Sequence, residues 1–355
     1  MATRKEANRL RSDPVVSVVI VNHDAWADVA RIVDVLGASA EVAAGDCEVI
    51  VVDNASRDSM PEALQSCRAG VIVHLSDDNG GFAAGVNTGR RLARGRWVLL
   101  LNPDVVVVPD FLNQVLTRIR HHEQSTRIPG IVGFGLRNAD GTIQPSVGAE
   151  PGILRLIVEA FLPRSRRKYK AVWAVKPGPV PWVTGACMLV DAGLLSGLGG
   201  MDEDFFLYYE EVALCRAVRS AGREVVFDPE VSVVHLRPLQ NRPITPGMRV
   251  VTRHSRSVFF QKYGTRAQSR AIGALTRAEA LVRGQIARIT GDAAEQRAWR
   301  LVAQVTDALA AGRRMRGSDV RDLASGISKG RGGHLANDGK PRAAVSKDAP
   351  TRTAL

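Results

Sequence analysis

Three apolar runs of strand length in this chain each end at an asparagine or aspartate cluster. The runs are 15–21 (VVSVVIV), 47–52 (CEVIVV) and 97–101 (WVLLL), and the clusters begin at Asn22, Asp53 and Asn102. Strands without polar alternation are buried on both faces, as in a parallel sheet covered by helices. Apolar residues at helical spacing between the first two runs favour a β-α-β order with right-handed crossovers. The clusters are therefore expected at one carboxyl edge of an α/β sheet, where ligands of such sheets bind.

The third run ends in Asn102, Pro103 and Asp104. Because Pro103 lacks a backbone donor and fixes φ, the strand stops there and the acid turns outward. A carboxylate in this position suits a divalent metal that carries a phosphate ligand. The alternative is a helix N-cap or turn aspartate beside a proline.

A glycine-rich segment, 78–87 (DNGGFAAGVN), lies before the third run. Its glycines, Gly81 among them, allow the backbone to approach a ligand closely before a helix that runs through 90–94. The segment lacks the G-x-G start of a dinucleotide fingerprint and does not directly follow the first strand. A dinucleotide-binding oxidoreductase is therefore disfavoured.

The order of these blocks resembles family 2 glycosyltransferases with the GT-A fold. The blocks are SVVIVNHD, VVDNASRD, DNGGFAAGVN and LLLNPD, followed by GACMLV at 185–190, GGMDEDFFLYYEE at 199–211 and VSVVH at 231–235. Within that family the chain is most similar to bacterial rhamnosyltransferases. The resemblance covers roughly 15–263 and implies an α/β GT-A fold, with a mostly parallel central sheet flanked by helices.

The resemblance also implies roles for individual residues. Asp53 would read the base or ribose of the nucleotide, and Asn22 and Asn79 would line the same crevice beside Gly81. A divalent metal, Mg²⁺ or Mn²⁺, is implied at Asp104 and His235, with Asn102 offering a carbonyl oxygen or a bond to the ribose. Two alternatives stay open: His235 as a packed histidine at a strand end, and Trp182 as a core residue rather than a wall of the sugar pocket.

Glu210 and Glu211 are the catalytic candidates. Sugar transfer needs a base for the proton of the acceptor hydroxyl, and a positioned carboxylate can take it as the new bond forms. The family motif usually reads E-D-x-D-L, whereas this chain has Glu210, Glu211, Val212, Ala213 and Leu214. Glu211 thus replaces the usual catalytic aspartate, and Ala213 replaces the second acid. The alternative is that both glutamates only complement the dipole of a helix in its first turn.

The implied function is inverting, metal-assisted transfer of rhamnose or a similar deoxyhexose. The donor would be a dTDP- or UDP-sugar, and the acceptor a saccharide or a lipid-linked glycan. Because of the changed acidic motif, the alternative is a catalytically weak or inactive transferase-like domain that binds nucleotide or glycan. The sequence does not indicate an oligomeric state.

Positive charge is concentrated near the C-terminus. Residues 266–355 contain 17 Lys and Arg against 8 Asp and Glu, an excess of 9 out of a net charge of +12. Such charge favours peripheral contact with an anionic membrane, at which Ile272, Leu275, Ala280 and Leu281 are candidates for shallow burial. The alternatives are a solvated basic face and helices that pack on the catalytic domain. Nucleic acid is not an expected partner, because no known binding signature is present.

Composition divides the chain into five parts. They are a flexible leader (1–13), a nucleotide-sugar-binding half (14–125), an acceptor-binding and catalytic half (126–264), a basic helical extension (265–317) and a disordered tail (318–355). No apolar run approaches the ~20 residues that a membrane-spanning helix needs, and the N-terminus lacks a signal-peptide core. Four cysteines without C-x-x-C spacing are typical of a reducing compartment. We therefore expect a cytoplasmic protein, peripheral at the membrane face, whose C-terminal segment localises it rather than building its site.

Overall fold

A computed structural model describes residues 13–65, 69–153, 156, 176–237 and 244–328. The strands are β1 (Val16–Asn22), β2 (Cys47–Asp53), β3 (Val71–Leu75), β4 (Trp97–Leu101), β5 (Val105–Val106), β6 (Ile131–Arg137), β7 (Ile143–Gln144), β8 (Val147–Gly148), β9 (Gly178–Pro179), β10 (Trp182–Val183), β11 (Cys187–Asp191) and β12 (Val225–His235). The helices are α1 (Trp26–Gly37), α2 (Ala40–Ala44), α3 (Glu62–Gln65), α4 (Phe82–Leu92), α5 (Phe111–Glu123), α6 (Ala192–Gly197), α7 (Glu210–Ser220), α8 (Pro246–Tyr263), α9 (Arg266–Ile289), α10 (Ala293–Ala310) and α11 (Gly317–Ser328).

One sheet organises the described residues. Its main path is β3-β2-β1-β4-β11-β6-β12-β5, while β7 pairs with β6 and β9 with β12. The first four strands of this path are parallel, and β11 runs antiparallel to both β4 and β6. Strand β12 is parallel to β6. It also pairs antiparallel with β5, and this pairing sets His235 at its carboxyl end opposite Val105, one residue beyond Asp104. The sheet thus brings the ends of β1, β2, β4 and β12 to one edge.

Both faces of the sheet are buried, as the unalternating apolar runs predict. Val18 and Ile20 of β1 contribute to a core with α1 and α5, whereas Val19 and Val21 of the same strand contribute to a core on the other face. Helices α4, α7, α8, α10 and α11 supply the second core. This architecture confirms the expected α/β fold with a mostly parallel sheet and helices after it.

The C-terminal helices have clear start signals. The Thr245 side chain accepts a hydrogen bond from the Met248 backbone N–H, and Pro246 occupies the first turn of α8. Thr265 and Gln268 form a reciprocal capping box at the start of α9. Such caps satisfy backbone N–H groups that have no partner within the helix.

The structure corrects one expectation about this region and bears on a second. Residues 317–328 form helix α11, with Val320 fully buried, so the prediction of disorder from Ser318 is wrong for this part of the tail. The helices also share one continuous core with the sheet, which supports the packing alternative over a merely localising segment. The N-terminal residues 1–12, the basic run RSRRKYK at 164–170, Cys67 and residues 329–355 lie outside the described residues.

Three of the cysteines, Cys47, Cys187 and Cys215, are buried free thiols. Burial raises the pKa of Cys47 and of Cys215 to about 12, so neither is a reactive thiolate at neutral pH. Within the described part of the chain, no helix combines the length and apolar character that a membrane crossing requires.

Candidate active site

The ends of β1 and β2 form a fixed polar network. Asn22 lies directly opposite Asp53 in the parallel register, and its side-chain Nδ2 donates to Asp53 Oδ1 at 2.7 Å. The backbone N–H of Ser56 donates to Asp53 Oδ2 at 3.0 Å. Both Asn22 and Asp53 are buried, so the carboxylate has one defined orientation at the sheet edge. The structure therefore brings these two predicted residues together.

The glycine-rich segment forms the turn before α4, at 78–81, and the first part of that helix. Asn79 Oδ1 accepts a hydrogen bond from the Gly81 backbone N–H at 3.0 Å, and the Asn54 side chain donates to the Gly81 carbonyl at 2.8 Å. Gly81 has φ +90°, and a Cβ there would lie 2.3 Å from the Phe206 carbonyl oxygen. Gly81 is therefore required because the segment 202–209, which precedes α7 and is called the 206 loop here, approaches it closely. The sequence does not reveal this reason. Gly81 also leaves the N-terminus of α4 without a side-chain cap, a feature that suits an anionic group.

The Asn-Pro-Asp turn ends β4 as predicted. The Asn102 N–H donates to the Ala186 carbonyl at 3.0 Å, which ties the turn to the start of β11. The expectation that the acid turns outward is wrong, because Asp104 is buried with its carboxylate beside His235 and Arg237. Its carbonyl accepts from the Leu236 N–H at 2.9 Å. The next helix, α5, has Asp110 at its N-cap, so Asp104 is not a helix cap.

Asp104 and His235 face each other across this edge. His235 Nε2 lies 3.4 Å from Asp104 Oδ1 and makes no hydrogen bond to the described residues, although it is buried. His235 Nδ1 donates to Gln144 Oε1 at 2.7 Å, which leaves a lone pair on Nε2. An oriented imidazole beside a carboxylate fits a divalent metal, since metal-bound histidines typically donate their other N–H to an acceptor.

The described residues contain no group of three or more His, Cys, Asp or Glu side chains that could hold a metal. Asp104 and His235 would thus be a two-residue set, and a divalent metal there would need further oxygen ligands from elsewhere. The same geometry also fits the packed-histidine alternative, as an ion pair between His235 and Asp104, so the metal role stays a prediction.

Two residues of this centre were missed by sequence reasoning. Arg237 Nε lies 3.7 Å from Asp104 Oδ2, and the same guanidinium pairs with Asp28 on α1. Its position two residues after His235 is the signal that was available. Gln144 carries no comparable signal, because it lies on the short strand β7, 91 residues before His235.

Glu210 and Glu211 open helix α7 from a strained turn. Tyr208 and Tyr209 have φ values of 68° and 72°, in the left-handed region that side chains other than glycine rarely occupy. Such strain persists only where the surroundings enforce it, and it is frequent at functional sites. Both glutamates are buried and in the first helical turn, so the helix-dipole contribution is compatible with a catalytic one.

Gly185 lies between Glu211 and the Asn-Pro-Asp turn. A Cβ on Gly185 would lie 3.9 Å from the Glu211 Cβ, and the next residue, Ala186, accepts the hydrogen bond from Asn102. Glu211 therefore lies near the same sheet edge as the Asn-Pro-Asp turn. Ala213, in contrast, is fully buried in the core, where the missing second acid would have no solvent access.

Trp182 does not line an open surface. Its indole is 2% exposed, packs against Gly148, and donates from Nε1 to the Ala149 carbonyl at 2.9 Å. These contacts describe the core alternative, and a role in the sugar pocket stays a prediction.

Comparison with known proteins adds independent information. Residues 17–198 match the family described as Glycosyl transferase family 2. N-acetylglucosaminyl-diphospho-decaprenol L-rhamnosyltransferase of Mycobacterium tuberculosis is 29% identical over 210 residues, which cover 53% of this chain and 66% of that protein. Rhamnosyltransferase WbbL of Escherichia coli (strain K12) is 24% identical over 233 residues, 64% of this chain and 86% of that protein. Among solved structures, mannosyltransferase PcManGT from Pyrobaculum calidifontis, in complex with GDP-Man and Mn²⁺, is 17% identical with a TM-score of 0.48, over 90% of this chain and 81% of that one.

Proposed function

The chain belongs to glycosyl transferase family 2, and from that premise we propose that it transfers a deoxyhexose to a hydroxyl group. Rhamnose is the first choice of sugar, supported by the names of two relatives. The donor is a dTDP- or UDP-sugar, and the acceptor a saccharide or lipid-linked glycan. The observation that carries the proposal is the placing of Asp104, His235 and Glu211 around one edge of the sheet.

Binding of the nucleotide is assigned to the ends of β1 and β2. Asp53 accepts hydrogen bonds from a ribose hydroxyl or the base, and its orientation is held by Asn22 and Ser56. The turn containing Asn79 and Gly81 covers the same crevice, and Asn102 contacts the ribose. A preorganised carboxylate loses little freedom when the nucleotide binds, which favours affinity.

Asp104 and His235 would hold a divalent metal, Mg²⁺ or Mn²⁺, at the diphosphate. When bound, such an ion neutralises charge that builds on the departing diphosphate. Arg237 carries a half-exposed guanidinium beside Asp104 and adds positive charge at the same place.

Glu211 acts as the general base. The acceptor oxygen attacks the anomeric carbon, its proton passes to Glu211, and the bond from that carbon to the diphosphate oxygen breaks. The nucleoside diphosphate leaves with the bonding electron pair. Because this is a single displacement without a protein nucleophile, the anomeric configuration inverts. Glu210 supports the start of α7 and the acceptor.

A second candidate function is nucleotide or glycan binding without turnover. It is favoured by one observation, the replacement of the second acid of the family motif by the buried Ala213. Both candidates predict nucleotide binding, so only turnover of the donor sugar distinguishes them.

A donor screen with Glu211→Gln separates these candidates. Wild-type protein should release nucleoside diphosphate from one deoxyhexose donor in a metal- and acceptor-dependent reaction, and Glu211→Gln should lower turnover by about 10²-fold or more with unchanged donor affinity. Glu210→Gln is the matched variant and should lose less. Normal turnover by Glu211→Gln would refute the base assignment, and wild-type binding without turnover on every donor would favour the binding protein.

We further propose that the reaction takes place at the cytoplasmic face of an anionic membrane, with α9 as the contact. The structure buries Ile272 and Ala280, two of the predicted interfacial residues, and exposes Leu275 and Leu281. Leu275, Val282, Ile286 and Ile289 are exposed at spacings of seven, four and three, so they share one helix face. Arg283 and Arg288 of the same helix are also exposed. An apolar stripe beside arginines fits shallow insertion between anionic headgroups.

Vesicle sedimentation tests this contact. The intact protein should bind vesicles of phosphatidylglycerol and phosphatidylcholine at low salt and release them at high salt, because each arginine near the surface contributes about 1 kcal/mol. Val282→Ser with Ile286→Ser should weaken binding, whereas Ser269→Ala on the same helix should not. Equal sedimentation of all three proteins would exclude α9 as the contact.

A further inference from the structure

Helix α11 reaches from the end of the described chain to the turn between β3 and α4. The Arg321 Nη1 donates to the main-chain carbonyl of Asn79 and lies 3.3 Å from Asp78 Oδ2. The arginine side chain is 23% exposed, whereas the Asp78 side chain is 72% exposed. The contact therefore anchors an open turn to a packed helix.

The same helix touches this turn by a second route. A Cβ at Gly317 would lie 2.4 Å from the Phe206 backbone nitrogen, so the helix start packs directly on the 206 loop. The Gly317 N–H also donates to the Glu203 carbonyl at 3.2 Å. Phe206 in turn accepts a hydrogen bond from the Phe82 N–H at 3.1 Å and lies over Gly81. The start of α11, the 206 loop and the Gly81 turn are thus stacked in series.

Residues 76–81 contain neither helix nor strand, so their shape depends on contacts with other parts of the chain. Asn79 uses its side-chain oxygen to accept from Gly81, while its carbonyl accepts from Arg321. Both contacts come from Nη1, which carries two N–H donors, while Nε and Nη2 pair with Asp322 on the same helix. Arg321 therefore fixes Asn79 and Asp78 relative to the helix.

We propose that Arg321 is a positioning residue, which holds the Asp78–Gly81 turn in the shape that receives the donor nucleotide. Helix α11 then sets donor affinity although it contributes no side chain to the chemistry. The assignment of this turn to the donor rests on the proposed function, while the bracing of the turn by Arg321 does not.

The test uses the full chain with Arg321→Met and Arg321→Lys. Arg297→Met is the matched control, because Arg297 Nη2 donates to the Ile327 carbonyl at the far end of α11 and does not contact the turn. Four quantities are measured for each protein: amide hydrogen exchange across residues 78–85 without ligand, the donor KM, kcat, and the thermal midpoint.

Arg321→Met should speed exchange in the turn and raise the donor KM by about tenfold with kcat nearly unchanged, the scale of one lost charge-assisted hydrogen bond. Arg321→Lys should recover part of both effects, because it keeps the charge but loses the fixed direction of the guanidinium N–H donors. Arg297→Met should lower the thermal midpoint without changing hydrogen exchange in the turn or the donor KM.

Unchanged exchange in Arg321→Met would overturn the brace. Equal exchange and KM changes in Arg297→Met would also overturn it, since the effect would then be general loosening of α11. Faster exchange with an unchanged donor KM would refute the link to donor binding. Absence of transfer by the wild-type protein would count against the proposed function alone, because the exchange measurement needs no substrate.

Discussion

The sheet edge and the C-terminal helices position their polar groups in different ways. Asn22 and Asp53 meet because β1 and β2 are adjacent strands in a fixed register. Arg321 meets Asn79 only because α8, α10 and α11 stack on one another over one face of the sheet. The first arrangement follows from local chain geometry, whereas the second depends on packing between residues more than 240 positions apart. A site that looks complete at the strand ends is thus supported by a distant segment.

Removal of residues 264–355 is expected to have the largest effect on folding and on the site at the sheet edge. Trp299, Val302 and Val305 of α10 are buried in the core that this helix shares with α8, so removing α9 to α11 would open that core. Each large apolar side chain contributes about 1.5–3 kcal/mol on burial, and a folded domain has only about 5–15 kcal/mol in total. The shortened protein should be insoluble or unable to bind nucleotide.

A protein that lacks only residues 329–355 is the matched control and should unfold at the normal temperature. Normal nucleotide binding by the protein that ends at Tyr263 would instead show that the C-terminal helices are an independent appendage.

A smaller effect is expected from acid at the interface between α8 and the start of α11. His254 Nε2 donates to the Met315 carbonyl at 3.2 Å, and burial lowers the pKa of this imidazole to about 4. In the unfolded chain the same imidazole has its ordinary pKa of 6.5, so it takes up a proton below that pH. Stability is therefore full above that pH and falls as pH decreases from 6.5 to 4, by about 3 kcal/mol in total.

Urea unfolding at pH 7 and pH 5 checks this expectation. His254→Gln keeps a donor for Met315 but does not titrate, so its loss of stability between the two pH values should be smaller. Asp204, Asp319 and Lys262 face the same imidazole, and Asp204 has a lowered pKa despite burial because Lys262 and Arg314 donate to it. Equal pH dependence of stability in the wild type and in His254→Gln would assign the loss of stability to Asp204, Asp319 and Lys262 instead of His254.

The smallest expected effect concerns Gln144 at the sheet edge. Because Gln144 Oε1 orients His235, Gln144→Ala should weaken metal affinity by about tenfold. Gln144→Glu keeps an acceptor at the same place and should restore it. Titration of each variant with the metal in a calorimeter distinguishes them. An unchanged metal affinity in Gln144→Ala would exclude the orienting role.

The sequence allows prediction of what depends on local pattern. Unalternating apolar runs predicted the parallel strands, and the polar residues that follow them predicted that Asn22 and Asp53 lie together. The pairing of His235 with Asp104 came from the family resemblance and not from local pattern. Composition was misleading at 317–328, because a Gly-, Ser- and Asp-containing stretch forms a helix once Val320 and Ile327 are buried against its neighbours. Gln144 and Arg321 could not be predicted, since their roles arise from strand and helix packing across long sequence separations.

The central claim is that Asp104 at the end of β4 binds the metal–diphosphate end of a nucleotide. Calorimetry of a nucleoside diphosphate with Mn²⁺ and with EDTA, on wild type, Asp104→Ala and the exposed control Asp110→Ala, tests it most directly. We expect chelation to weaken binding to wild type and Asp110→Ala by at least about tenfold, and to leave Asp104→Ala unchanged at the weaker level. Equal wild-type affinity in both conditions, or a full metal-dependent gain in Asp104→Ala, would contradict the account.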